Sequence, residues 1–286
     1  MDAKTLNIIL VCIATPSTLL YGRVLHIIIA NRSKPLYTSF FFRVSISQAL
    51  FDITFIPCYF ACQTSLEFPE LHALLLSTNG TLWPQWAYSF VYTYLYAQTF
   101  GVLLISTHRV LTITRPFSAI TKFLECFPRP LLHFVHLLVP LPGTALIFWG
   151  QPPVKYIYVN ATRTLIRYAQ PEAINQNSII AIAQTSLITA ICMGCYAVIF
   201  TGRPRNESRR RSEFALMAVS FFLFICLCLI LTYFVLLFIM SNAKNLTAMA
   251  HLRTSYPLIN ALFSYSNPWM LLITSGETRR RVFGRF

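Results

Sequence analysis

Charge is scarce in this sequence. Only 11% of its 286 residues are Asp, Glu, Lys or Arg, where soluble domains carry roughly 25%. That deficit leaves too few charges to wet a surface and excludes an ordinary soluble domain. Acids are scarcer still, with nine Asp and Glu against 23 Lys and Arg and a formal net charge of +14. In a soluble chain such an excess points to nucleic acid. Here the cations gather at the ends of apolar blocks, so membrane lipid is the expected partner and nucleic acid is not. No internal repeat is visible, which argues against an inverted-repeat transporter. The eight cysteines form no disulfide framework. Cys12, Cys58, Cys62, Cys192, Cys195, Cys226 and Cys228 lie within apolar blocks, where Cys behaves as a small apolar residue, and Cys126 lies in a basic loop. CMGC (192–195) and CLC (226–228) have no His or Asp nearby, which argues against a metal site. The six His show no catalytic grouping, and His133 and His136, three apart, read as core or interface residues. Neither a cofactor nor an enzyme activity is expected.

What the chain does have is long apolar runs. Apolar residues make up 56% of it, with mean hydropathy +0.58. A membrane-spanning helix needs about 20 such residues, and seven blocks are long enough: about 6–30, 39–63, 85–108, 131–150, 178–201, 214–241 and 257–276. Backbone groups in hydrocarbon must pair internally, so each block is expected to be a helix. The fold class is therefore all-α, an integral membrane seven-transmembrane helix bundle forming a single domain over residues 1–286. Pro140, Pro142 and Pro268 should kink their helices. The first block, MDAKTLNIILVCIATPS, has the outline of a secretory signal, but apolar sequence resumes with VLHIIIA and makes the block longer than a signal core.

The Lys and Arg count by loop sets the orientation. Sixteen of the 23 fall on loops of one parity, including Arg32, Lys34, Arg43, Arg109, Arg209–Arg211 and Arg279–Arg281; six fall on the other, and Arg23 lies within the first block beside His26, neither with an assigned role. The amino terminus is thus expected outside and the carboxyl terminus in the cytosol. Three glycosylation sequons, at Asn79, Asn160 and Asn245, fall in the loops this places outside, while those at Asn31 and Asn206 fall inside, where no glycan is added.

Three short patterns sit on these spans. The third span closes with Thr107-His108-Arg109 and then Arg115-Pro116. This resembles the inner end of the third span of G-protein-coupled receptors, although no acid precedes the arginine. Asp52 is the only acidic residue well inside a span, a costly placement that usually serves a pathway, a switch or a ligand. Its setting, QALFD (48–52), is similar to the second-span LAxxD of rhodopsin-like receptors, where the aspartate can bind sodium and couple to activation. Ser47, Asn260, Ser264 and Asn267 are its candidate partners; a protonated Asp in one interhelical hydrogen bond is the alternative. SYSNPWMLLITS (264–275) resembles the receptor NPxxY region, with Asn267-Pro268 present and Leu271 in place of the tyrosine.

In the outer half of the third span, Tyr88, Tyr92 and Tyr96 recur at four-residue spacing on one face, with Tyr94 and Gln98 on another. Rings with polar tips suit the wall of a pocket for a small organic molecule, and Tyr88, Tyr92, Tyr96 and Gln98 are the candidate lining. An aromatic belt at the membrane interface accounts for Trp86 and Tyr88 equally well.

Taken together, the seven spans, the very short outer terminus, HRVLTITRPF and YSNPWMLLITSGETRRR resemble the nematode serpentine chemoreceptors of the Srg superfamily, class V. The resemblance implies a multi-pass receptor in the plasma membrane of sensory-neuron cilia that binds a small environmental chemical outside and activates a heterotrimeric G protein inside. It also implies that Glu213, at the inner start of the sixth span, can hold Arg109 at rest. A pair at the membrane edge biases two conformations by roughly 1–3 kcal/mol; Glu213 also suits the amino end of its own helix. Two features depart from rhodopsin-like receptors. No Cys sits at the outer end of the third span or in the second outer loop, so their bridging disulfide cannot form, and the sixth span has no proline. A seven-span ligand-gated channel, with its amino terminus inside, and a small-solute transporter are the alternative readings.

Overall fold

The computed structural model describes residues 3–150, 152–159, 164–201, 207–243, 245–274 and 276–284. Each apolar block becomes helical: α1 (Ala3–Ala30), a turn of helix α2 (Pro35–Thr38), α3 (Phe40–Thr64), α4 (Pro69–Ser77), α5 (Trp83–Thr114), α6 (Ala119–Cys126), α7 (Arg129–Leu138), α8 (Leu141–Trp149), α9 (Pro171–Thr201), α10 (Glu207–Asn242), α11 (Leu246–Thr274) and α12 (Gly276–Val282). Helix α5 is the hub, packing on α3, α8, α9 and α10, while α11 joins α10 to α1.

Among the described residues, four stretches are long and apolar enough to cross a membrane by length and composition: Ile9–Ala30, Arg129–Trp149, Pro171–Ile199 and Met217–Asn242. Helices α3, α5 and α11 carry the buried polar side chains Asp52, Gln98 and Asn267, held inside the bundle so that none of these polar groups is exposed to lipid. The outward faces stay apolar: Leu19, Phe134, Leu146, Leu187, Met193 and Ile273 are exposed, far more exposed apolar surface than a soluble monomer carries.

The structure refines three sequence expectations. The bundle is all-α as expected, with one addition: β1 (Lys155–Val159) and β2 (Thr164–Tyr168) form an antiparallel hairpin in register Lys155↔Tyr168 to Val159↔Thr164. KYIYV and TLIRY are rich in β-branched and aromatic residues, which favour strands, and Tyr156 and Leu165 turn inward to join Leu66 and Leu75 in a small second apolar cluster. The block at 131–150 is two helices rather than one kinked helix, since Pro140 and Pro142 lack the N–H groups that would continue the ladder. Helix α5 runs to Thr114, so Arg109 lies within it rather than at its end. Pro268, by contrast, is carried inside a continuous α11.

Candidate functional site

Helix α5 carries three layers of buried side chains. In the outer layer the Tyr88 and Tyr92 hydroxyls are 3.4 Å apart and Asn177 Nδ2 on α9 donates to Tyr88 at 3.1 Å. The Tyr92 ring meets Phe234 of α10, whose neighbour Tyr233 lies 4.9 Å from Tyr256 of α11. The three tyrosine rings form one row, Tyr88 to Tyr92 at 5.5 Å and Tyr92 to Tyr96 at 6.4 Å between centroids, on the face expected of them. Tyr88 and Tyr92 face α9 and α10, whereas Tyr96 lies under α8 against Gly143, where an added Cβ would come within 2.8 Å of the ring.

The middle layer is built on Asp52, 1% exposed. Its carboxylate accepts from Tyr21 Oη (2.6 Å), Gln98 Nε2 (2.9 Å), Gln48 Nε2 (3.4 Å) and Tyr94 Oη. Ser264 of α11 bonds both Tyr94 and Gln98 at 2.8 Å, and Asn267 of the same helix lines the space beside Asp52. Three helices thus supply donors to one carboxylate, and α11 joins through Ser264. Three of the four donors converge on Oδ1 and one, Tyr21, on Oδ2, so Oδ2 keeps an acceptor direction open. A cavity of about one water's size lies beside the carboxylate, lined by Gln48, Asp52, Gln98 and Asn267 on its polar side. The Oε1 atoms of Gln48 and Gln98 and Oδ1 of Asn267 are buried there with no hydrogen-bond partner. Such oxygens accept from a water and equally well ligate a hard cation. Of the expected partners, Ser264 and Asn267 belong to this layer. Ser47 turns instead to His136 Nδ1 (2.9 Å), whose Nε2 meets the Ala97 carbonyl (2.8 Å), so that His136 ties α7 to both α3 and α5.

The inner layer contains Arg109, 8% exposed, with its guanidinium 4.2 Å from the centre of the Phe41 ring, a cation–π distance. Glu213 lies on the first turns of α10, and its side chain is outside the described residues. The acid that does organise this end is Glu125 on α6. It pairs with His108 Nε2 at 2.8 Å and Arg43 at 3.2 Å, and accepts the Phe40 N–H at 3.1 Å. Arg43 also donates to the carbonyls of Phe127 (2.6 Å) and Glu125 itself. Partial burial alone would raise the Glu125 carboxyl, but the His108 hydrogen bond and charge, the Phe40 N–H and the Arg43 charge outweigh it and hold the group below its ordinary range. Sequence reasoning missed this residue; its signal is that it is the only acid in KFLECFPRP.

At the outer end three side chains staple the loops. Gln85 Oε1 accepts from Val154 N–H (2.9 Å) while its Nε2 donates to the carbonyls of Ile147 and Phe148. Asn79 exchanges two bonds with the backbone of Tyr156 (2.8 and 3.0 Å), and Arg167 donates to the Ala87 carbonyl at 2.7 Å. All eight cysteines are free. Of the glycosylation candidates, Asn79 is engaged in this staple, Asn245 is exposed and caps α11 through the Ala248 N–H, and Asn160 lies outside the described residues.

A helical bundle with an apolar outer surface and a buried polar core defines an integral membrane protein of the all-α class. The family model of the serpentine type 7TM GPCR chemoreceptor Srv matches residues 10–286, and the chain belongs to that family. No curated protein matches it. It is a seven-transmembrane chemoreceptor of the G-protein-coupled type.

Proposed function

We propose that this receptor spans the plasma membrane of sensory-neuron cilia as one seven-span domain, with its amino terminus outside and its carboxyl terminus cytosolic. It binds a small environmental chemical in its outer half and activates a heterotrimeric G protein at its inner face. The observation that carries this reading is the continuity of buried polar groups along α5, from Tyr88 and Tyr92 through Tyr94 and Gln98 to His108 and Arg109. Ligand contacts Tyr88 and Tyr92, and Tyr96 forms the floor against α8. Gln98 acts one layer below, relaying through Asp52 to Ser264, Asn267 and the Pro268 turn of α11. Arg109 changes partner as α10 moves, with Glu213 holding it at rest. Sodium in the small cavity would be held by Asp52 together with the open Oε1 and Oδ1 oxygens of Gln48, Gln98 and Asn267.

The test is expression in a heterologous cell with a second-messenger readout, screened against volatile and water-soluble odorants. Arg109→Ala should abolish the response while ligand binding stays measurable; an unchanged response overturns the mechanism. A carboxyl-terminal tag should be inaccessible to antibody on intact cells. Accessibility there would overturn the orientation, as would an amino-terminal tag found inside, the arrangement of a seven-span channel.

A further inference from the structure

The first inner loop draws two distant arginines onto adjacent residues. Asn31–Lys34 forms a tight turn after α1, with the Lys34 N–H bonded to the Asn31 carbonyl at 2.9 Å. Arg281 of α12 donates to Asn31 Oδ1 at 2.9 Å, and Arg129, at the start of α7, donates to the Arg32 carbonyl at 3.3 Å. Arg32 and Lys34 are exposed on the same turn. Cations from three parts of the chain therefore meet at one loop. The ion pairs formed at this end among the described residues join Glu125 to Arg43 and His108, so no described carboxylate offsets Arg32, Lys34 or Arg129. Like charges brought together in this way repel, and a multivalent anion relieves that repulsion.

We infer that this loop is a binding site for the phosphorylated headgroup of an anionic phospholipid of the inner leaflet. Arg129 spends one N–H on the Arg32 carbonyl, and a guanidinium has five, which leaves its fork for phosphate oxygens. Arg32 and Lys34 supply two further contacts. Ile29, Leu131 and Phe283 are exposed apolar side chains two or three residues from these cations. An apolar flank beside a basic loop suits a headgroup with acyl chains attached and gives nothing to a soluble phosphate. The inference rests on the proposed orientation, which puts this loop on the cytosolic side.

The test uses the purified full chain in detergent, with a phosphatidylinositol bisphosphate, a phosphatidylserine and soluble inositol trisphosphate as probes. The bisphosphate lipid should bind saturably and more tightly than phosphatidylserine. Arg32→Gln combined with Lys34→Gln should weaken it about thirtyfold, since each basic residue near the surface contributes a factor of about five. Arg129→Gln should weaken it as well, while Arg115→Gln with Lys122→Gln, on another inner loop, should leave it unchanged. Each variant is first checked for an unaltered melting temperature, and Arg32→Lys with Lys34→Arg should restore binding if the double neutralisation unfolds the loop. Equal binding by the Arg32, Lys34 and Arg129 variants, or equally tight binding of the soluble headgroup, overturns the site. Binding in detergent does not depend on orientation, so failure of the tag experiment and failure here are separate results.

Discussion

Gln85 and Asn79 hold the outer end of the bundle through neutral amide groups bonded to backbone, and Arg167, a cation that does not titrate, adds a bond to the Ala87 carbonyl. At the inner end, Glu125 gathers Arg43 and His108 through charge. Neutral bonds of this kind contribute about 1 kcal/mol each and change little with salt or pH, whereas charged ties respond to both. On the proposed orientation, the hairpin end meets an environment the cell does not control, and amide staples there that ignore pH leave the ligand as the variable reported. The opposite end then lies in the buffered cytosol, where charge is a usable switch.

The comparison breaks most visibly at Arg43. It is 6% exposed and satisfies two carbonyls and a carboxylate. Arg43→Leu removes those bonds and leaves Glu125 short of a partner, which should cost about 2–4 kcal/mol. The loss is read as a lower melting temperature in nanodiscs, and it should grow smaller as salt rises in the wild type. Gln85→Ala should cost about 1–3 kcal/mol, with no dependence on salt. Its second reading is functional: the hairpin over the outer layer loosens, so ligand response falls while an Arg109-dependent basal signal persists. If Gln85→Ala proved as salt-sensitive as Arg43→Leu, the contrast between the two ends would fail.

Much of this bundle was readable from composition because lipid imposes one solution on each long apolar run. Asp52 was readable for the same reason, since a lone acid at that depth needs partners. Which partners was not readable. Tyr21 and Tyr94 are apolar by count, and only the packing of α1 and α5 against α3 turns their hydroxyls onto one carboxylate. Glu125 lay hidden among loop cations because its partner Arg43 is 82 residues away. The hairpin did leave a local trace in the β-branched and aromatic residues of KYIYV and TLIRY, which a search for long helical blocks passes over. Gly101 is another such case: it is ordinary in sequence, yet a Cβ there would overlap Gln48 Oε1 and crowd His136.

Asp52 tests whether the middle layer belongs to neither end. Asp52→Asn keeps the shape but loses the charge that four donors converge on, and hydrogen bonds to a charged group are worth about 1.5–3 kcal/mol. Ligand sensitivity should shift, and the change that replacing sodium by a bulky organic cation makes in the wild type should be absent from the variant. A wild-type response indifferent to sodium would leave the cavity to water.

Acid sharpens the inner half of the comparison. The folded Glu125 carboxyl titrates below its unfolded value, so the stability it contributes is fully present above the unfolded value and is lost as pH falls through the folded one. A melting curve followed from neutral pH to about pH 4 should therefore drop at the acid end, and Glu125→Gln should flatten that drop. Glu125 is about one-third exposed, 36% by side chain, so solvent screening keeps the effect small. The Gln85 variant should show the same acid limb as the wild type, because no titrating group takes part in the outer staples it removes. Reductant gives the smallest effect of all. With eight free cysteines and Gln85 joining the outer end of α5 to the hairpin segment at Val154, dithiothreitol should change neither the melting temperature nor the ligand response. A receptor whose outer loop depended on a disulfide would lose both.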